Sequence, residues 1–161
     1  MTDRAIISLG NRFRGDDSVG PYILHRIRQH LGDMVPCIEN GGDMTQLLEQ
    51  WRDRRVCLVD AVLAEGRAVG DVIRLDGLAA PIAHSVCGTS SHGLNLAEAI
   101  ELGRAVGALP RSLDIYAICG ENFATSAALS PAVAAAAAVV EREIVNFLMA
   151  QTGGPPCTNS P

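Results

Sequence analysis

The chain has 161 residues, of which 48% are hydrophobic, and a formal net charge of −5. That length suits one domain with a substantial core. Its 13 basic residues, all Arg, are scattered along the sequence, which argues against a nucleic-acid or membrane-binding surface. Asp3 and Arg4 interrupt the N-terminus, so no secretory leader is expected. The longest apolar run, 132–140, is too short to span a bilayer. The 5 cysteines are odd in number, widely spaced and form no C-x-x-C pair to hold zinc or run dithiol chemistry, which points to reduced thiols in the cytoplasm.

In chain order, Ala5, Ile6, Ile7 and Leu9 read as a short buried strand, ended by the turn Gly10-Asn11. Two adjacent carboxylates, Asp16 and Asp17, precede a helix opening near Pro21. Val19, Ile23, Ile27 and Leu31 recur every four residues along it, and Gly32 stops it. A second strand is expected over Val35–Glu39, followed by the turn Asn40-Gly41-Gly42-Asp43 and a helix over Thr45–Trp51. Arg55–Val62 is apolar on both faces, as a central parallel strand requires, and Asp60 is placed at its C-terminal end.

Asp71–Asp76 reads as an edge strand, and 77–91 as a long loop carrying His84 and Cys87. A helix is expected over Leu94–Gly107, with Leu94, Ala97, Ile100, Ala105 and Val106 inward, and a fifth strand over Ser112–Cys119. Ser130-Pro131 is a strong helix start, Ser capping and Pro in the first turn. The Ala-rich helix that follows runs to about Ala150, with Glu141, Arg142 and Glu143 on its wet side. Residues 151–161 are expected to be a disordered tail after a single domain over 1–150. Alternating strands and helices predict an α/β three-layer sandwich: a mostly parallel five-stranded sheet with helices on both faces.

Asp17 after the first strand, Asp60 after the third and His92 before the third long helix all fall at the C-terminal edge of such a sheet, where open α/β folds bind ligands. Two carboxylates and an imidazole suit a divalent transition metal, without choosing between nickel and zinc. Each has a plainer role: Asp16 and Asp17 as caps favoured by a helix dipole, Asp60 as a turn cap, His92 as a cap of the Leu94 helix region or a local packing residue. A Cys87–His nucleophile is a weaker option, because no nucleophile signature surrounds it, and Ser91 suits a helix cap. Nucleotide binding is disfavoured: G-x-G-x-x-G is absent, and the acid pair would repel a pyrophosphate.

The segments Leu9-Gly10-Asn11, Gly15-Asp16-Asp17, Val19-Gly20, Gly41-Gly42, Leu58-Val59-Asp60-Ala61, Ser91-His92-Gly93-Leu94 and Leu129-Ser130-Pro131, in this order and spacing, resemble the hydrogenase maturation endopeptidases. The resemblance implies an endopeptidase that removes a C-terminal peptide from the large-subunit precursor of a nickel–iron hydrogenase. It implies that Asp17, Asp60 and His92 contact nickel supplied by the substrate, that Asp16 orients the loop, and that Asn11 and the Gly41-Gly42 backbone position the peptide. Attack by a metal-polarised water or by a water that a carboxylate activates are both compatible with it. The protein is taken as a monomer. A non-proteolytic nickel-binding module and another metal- or thiol-dependent hydrolase are the rival readings. The chain departs from the family at Ser8 and Ser18, where Gly is common, at Asn40-Gly41-Gly42-Asp43, and at Gly120-Glu121-Asn122-Phe123.

Overall fold

The computed structural model describes residues 3–63, 66–79 and 96–152. His84, Cys87, Ser91, His92 and Leu94 lie outside the described residues, as does the tail beyond residue 152. Strand β1 (Arg4–Leu9) leads through a 3-10 turn (Gly15–Ser18) into α1 (Val19–Leu31), then β2 (Cys37–Asn40), α2 (Met44–Trp51), β3 (Arg55–Leu63) and β4 (Val72–Asp76). The chain continues as α3 (Leu96–Val106), β5 (Ser112–Gly120) and α4 (Pro131–Thr152). The five strands form one sheet in the order β2-β1-β3-β5-β4, parallel except for β4, which runs antiparallel to β5 at the edge.

Side chains alternate across this sheet and build two cores. On one face Ile6, Cys57, Val59 and Ile118 pack against Ile23 and Ile27 of α1 and Val133, Ala137, Val140 and Ile144 of α4. On the other, Ile7, Leu9, Leu58 and Ile115 meet Leu47 and Trp51 of α2 and Leu96 and Ile100 of α3. The Trp51 indole N–H donates to the Ala108 carbonyl at 2.7 Å, so the ring's polar atom is satisfied inside the apolar layer. The three-layer α/β reading is correct, as is the edge position of β4.

Several boundaries and faces differ from expectation. β2 starts at Cys37 rather than Val35, and α4 continues to Thr152, two residues into the segment expected as tail. In α3 the buried positions are Leu96, Ala99, Ile100 and Gly103, while Ala105 and Val106 are exposed, because the 3.6-residue stripe had already closed at Gly103. Glu141 is not on the wet side of α4: it is 7% exposed. Arg26 Nε at 2.8 Å and His30 Nε2 at 2.9 Å both donate to it from α1, and these two hydrogen bonds, one from a guanidinium, make a buried carboxylate tolerable.

Candidate active site

The order of the sheet fixes where a site can form. From β1 the chain crosses through α1 to β2 on one side, then through α2 to β3 on the other side of β1. The C-terminal ends of β1 and β3 therefore flank a topological switch point, where connections leave in opposite directions and open a crevice.

Asp60 stands on this crevice. Pairing of β1 with β3 ends at Ser8 opposite Val59, so Asp60 is the first residue of β3 beyond β1's last paired position. It is not at the strand's end, as the sequence suggested, for β3 runs three residues further beside β5. Asp60 is buried, and one carboxylate oxygen accepts the Ala61 N–H at 2.8 Å.

Asp17 reaches the same edge from β1. The strand leaves the sheet at Gly10, which has a φ of +124°. A Cβ on this residue would stand only 2.2 Å from the Asp17 carbonyl oxygen, so no side chain fits here. That close approach folds the loop back on itself. The Asn11 N–H donates to Asp17 Oδ2 at 2.8 Å, and Asp17 is fully buried.

Asp16 points elsewhere. Its carboxylate accepts the N–H groups of Glu121 (2.9 Å), Asn122 (3.0 Å) and Ser130 (2.7 Å), together with the Ser130 hydroxyl at 2.7 Å. Its own N–H donates to the Asn122 carbonyl at 2.8 Å. Burial opposes ionisation of Asp16, yet the backbone donors of Glu121, Ser130 and Asn122 and the Ser130 hydroxyl together outweigh it, and the pKa is lowered. Asp16 is thus no helix cap: it ties the β1–α1 loop to the β5–α4 connection and so holds the backbone that carries Asp17. Ser130 correspondingly donates its hydroxyl to Asp16, while its carbonyl accepts the first α4 bond from Ala134 at 2.9 Å.

The second turn approaches from β2. Asn40 is buried: its Oδ1 accepts from the N–H of Gly42 and of Asp43, both at 2.8 Å, and its Nδ2 donates to the Asp43 carbonyl and to Gln50 Oε1, both at 3.0 Å. Sequence reasoning took this position only as part of a turn, although an Asn before Gly-Gly is the signal of such an Asx arrangement. A cleft of about 300 Å³ is lined by Gly10, Asn11, Arg12, Phe13, Pro21, Glu39 and Gly41. Two of the expected peptide-positioning residues, Asn11 and Gly41, therefore share one cleft. The Gly42 N–H is engaged by Asn40 instead.

His92, the third expected ligand, lies outside the described residues, and among the described residues no group of three or more His, Cys, Asp or Glu side chains could hold a metal ion. Cys57 and Cys119 are buried; burial first, then the charge of Asp114, pushes the Cys57 thiol up to about 12. Burial and Asp71 also raise the Cys119 pKa. A cavity of about 510 Å³ opens at the opposite, N-terminal edge of the sheet, among Arg4, Arg55 and Arg111, remote from the two aspartates.

The backbone has relatives among solved structures. Hydrogenase maturating endopeptidase HybD from E. coli superposes with a TM-score of 0.75 at 22% identity, over 95% of this chain and 94% of that one. NiFe hydrogenase maturation protease HybD from Thermococcus kodakarensis gives 0.71 at 21% identity, over 92% and 99%. NiFe hydrogenase maturation protease HycI from Thermococcus kodakarensis KOD1 gives 0.65 at 21%, over 91% and 93%. This chain has their fold. No protein-family model and no curated protein matches the sequence, so the likeness is carried by the backbone.

Within that fold, the described site offers two buried carboxylates on one crevice, backed by a loop that Asp16 holds in place. Carboxylates at such a position can bind a cation, orient a water or accept its proton.

Proposed function

We propose that this protein is an endopeptidase that removes the C-terminal extension from the nickel-loaded large-subunit precursor of a nickel–iron hydrogenase, in the cytoplasm. The observation that carries the reading is the placement of Asp17 and Asp60, both buried, at the switch point of a fold shared with endopeptidases named for hydrogenase maturation. Two carboxylates held beside one crevice favour a cation there, and a metal carried by an incoming substrate supplies it.

Nickel is part of the substrate in this proposal. Asp17 and Asp60, with His92, are the groups assigned to recognise it, and Asn11 and Gly41 line the cleft assigned to the peptide. The reaction is a hydrolysis: water adds to the scissile carbonyl carbon, the C–N bond breaks, and the released amine takes a proton. Among the described residues no helix is long and apolar enough to cross a membrane.

The test is a processing assay on the large-subunit precursor, nickel-loaded and nickel-free, read by intact mass. Loss of a C-terminal peptide from the loaded form alone is the expected result. Cleavage of both forms removes nickel as the gate. Metal binding with no cleavage of either replaces the protease by a nickel-binding module.

A further inference from the structure

β2 is an edge strand among the described residues. The backbone directions follow from two bonds: Ile6 N–H donates to the Pro36 carbonyl at 2.9 Å and Gly10 N–H to the Asn40 carbonyl at 3.2 Å. In a parallel ladder alternate residues face the same neighbour, so Pro36, Ile38 and Asn40 face β1 while Cys37 and Glu39 turn their N–H and C=O groups outward. Arg28 confirms this, since its guanidinium donates to the outward Cys37 carbonyl.

Beside that edge lies a cleft of about 290 Å³, lined among others by Arg12, Tyr22, His25, Arg28 and Glu39. It shares Arg12, Pro21 and Glu39 with the cleft of about 300 Å³ that holds Asn11 and Gly41. The two clefts adjoin at these residues, and the second is lined by Gly10 and Asn11 of the loop that carries Asp17. In a protein of net charge −5 the first of these clefts is locally basic: Arg12 and Arg28 stand against Glu39 alone. Glu39 is already paired with Arg12.

We propose that this edge docks an extended acidic segment of the polypeptide substrate as an added strand. Glu39 supplies the outward N–H and C=O of the new ladder, and Arg12 and Arg28 take the segment's carboxylates. The inference deepens the protease reading and rests on it for the identity of the substrate.

The experiment follows amide exchange by NMR in the full chain, using an acetylated and amidated peptide of alternating Val and Glu at millimolar concentration, with a Val and Lys peptide beside it. The acidic peptide is expected to slow exchange of the Glu39 amide about tenfold or more. The Ile38 amide, which faces β1, should not change, and the basic peptide should have no effect. Glu39→Pro removes the outward N–H together with the carboxylate paired with Arg12, so Glu39→Ala is its control: the Pro variant alone should abolish acidic-peptide binding and slow precursor cleavage. Arg28→Glu should shift the preference toward the basic peptide. Unchanged Glu39 exchange while the precursor is cut normally overturns the docking edge and leaves the protease standing. A protected Glu39 amide in a protein that never cuts the precursor keeps the docking edge and sinks the protease.

Discussion

Asp16 and Ser130, 114 residues apart in sequence, meet through two hydrogen bonds of 2.7 Å, one from the Ser130 N–H to Oδ1 and one from its hydroxyl to Oδ2. Together with Glu121 and Asn122 they make one carboxylate the joint between two loops that border the crevice. Asp17 is the next residue along the chain, so the position of a candidate catalytic acid depends on a neighbour that faces away from the site.

Replacing Asp16 should therefore cost stability. Asp16→Ala leaves the buried N–H and hydroxyl of Ser130, and the part-buried N–H groups of Glu121 and Asn122, without their acceptor, a loss of about 2–3 kcal/mol. The pH dependence has a definite sign. A lowered pKa means that this stabilisation is present above the unfolded-state value, near 3.8, and is lost as the pH falls through the folded-state value. Urea unfolding at a series of pH values should show wild type and Asp16→Asn converging as the pH drops below about 4. A gap that widens there would refute the assignment.

Asp17→Asn and Asp60→Asn should retain the fold, since each is nearly isosteric, and each should lower precursor processing about a hundredfold or more. His92→Ala should do the same. Intact-mass assays beside circular dichroism decide this: a folded Asp17→Asn protein that cuts at the wild-type rate removes Asp17 from the mechanism.

The two thiols of the sheet should be inert. With the Cys57 pKa at about 12 and that of Cys119 also raised, both by burial first, neither forms thiolate at neutral pH. Iodoacetamide in native buffer should leave Cys57 and Cys119 unmodified, and should modify both after denaturation, as peptide mass mapping will show. Cys87→Ser should process the precursor like wild type. Loss of cleavage in that variant would revive the thiol-dependent hydrolase.

Trp51→Ala and Glu141→Ala should differ in cost. The indole is fully buried and hydrogen-bonded, so its removal should cost about 3–5 kcal/mol. Glu141 is buried, but its partners Arg26 and His30 stay about half exposed and remain solvated when it is gone. Its loss should cost about 1 kcal/mol. Thermal denaturation of both variants measures the contrast.

The layers were legible in the residues alone. Apolar residues on both faces of 56–62 could only be a central strand, and the four-residue spacing from Val19 to Leu31 could only be one helix face. The same patterns set Asp17 after strand one, because a strand followed by a helix carries its next polar residue to the sheet's C-terminal edge; Asp60 was read as the end of strand three, whereas β3 runs three residues beyond it. Local patterns misplaced Glu141, Ala105, Val106 and the role of Asp16. A side chain's burial depends on what another element brings to it, and periodicity within one helix says nothing of Arg26 and His30 on a different one. It took the folded chain to show that β1 stops at the switch point while β3 continues, and that a carboxylate at residue 16 is held by donors at 121, 122 and 130. Those are long-range contacts, strand pairings and backbone N–H groups donating to a distant carboxylate, and they exist only once the sheet has brought its strand ends together.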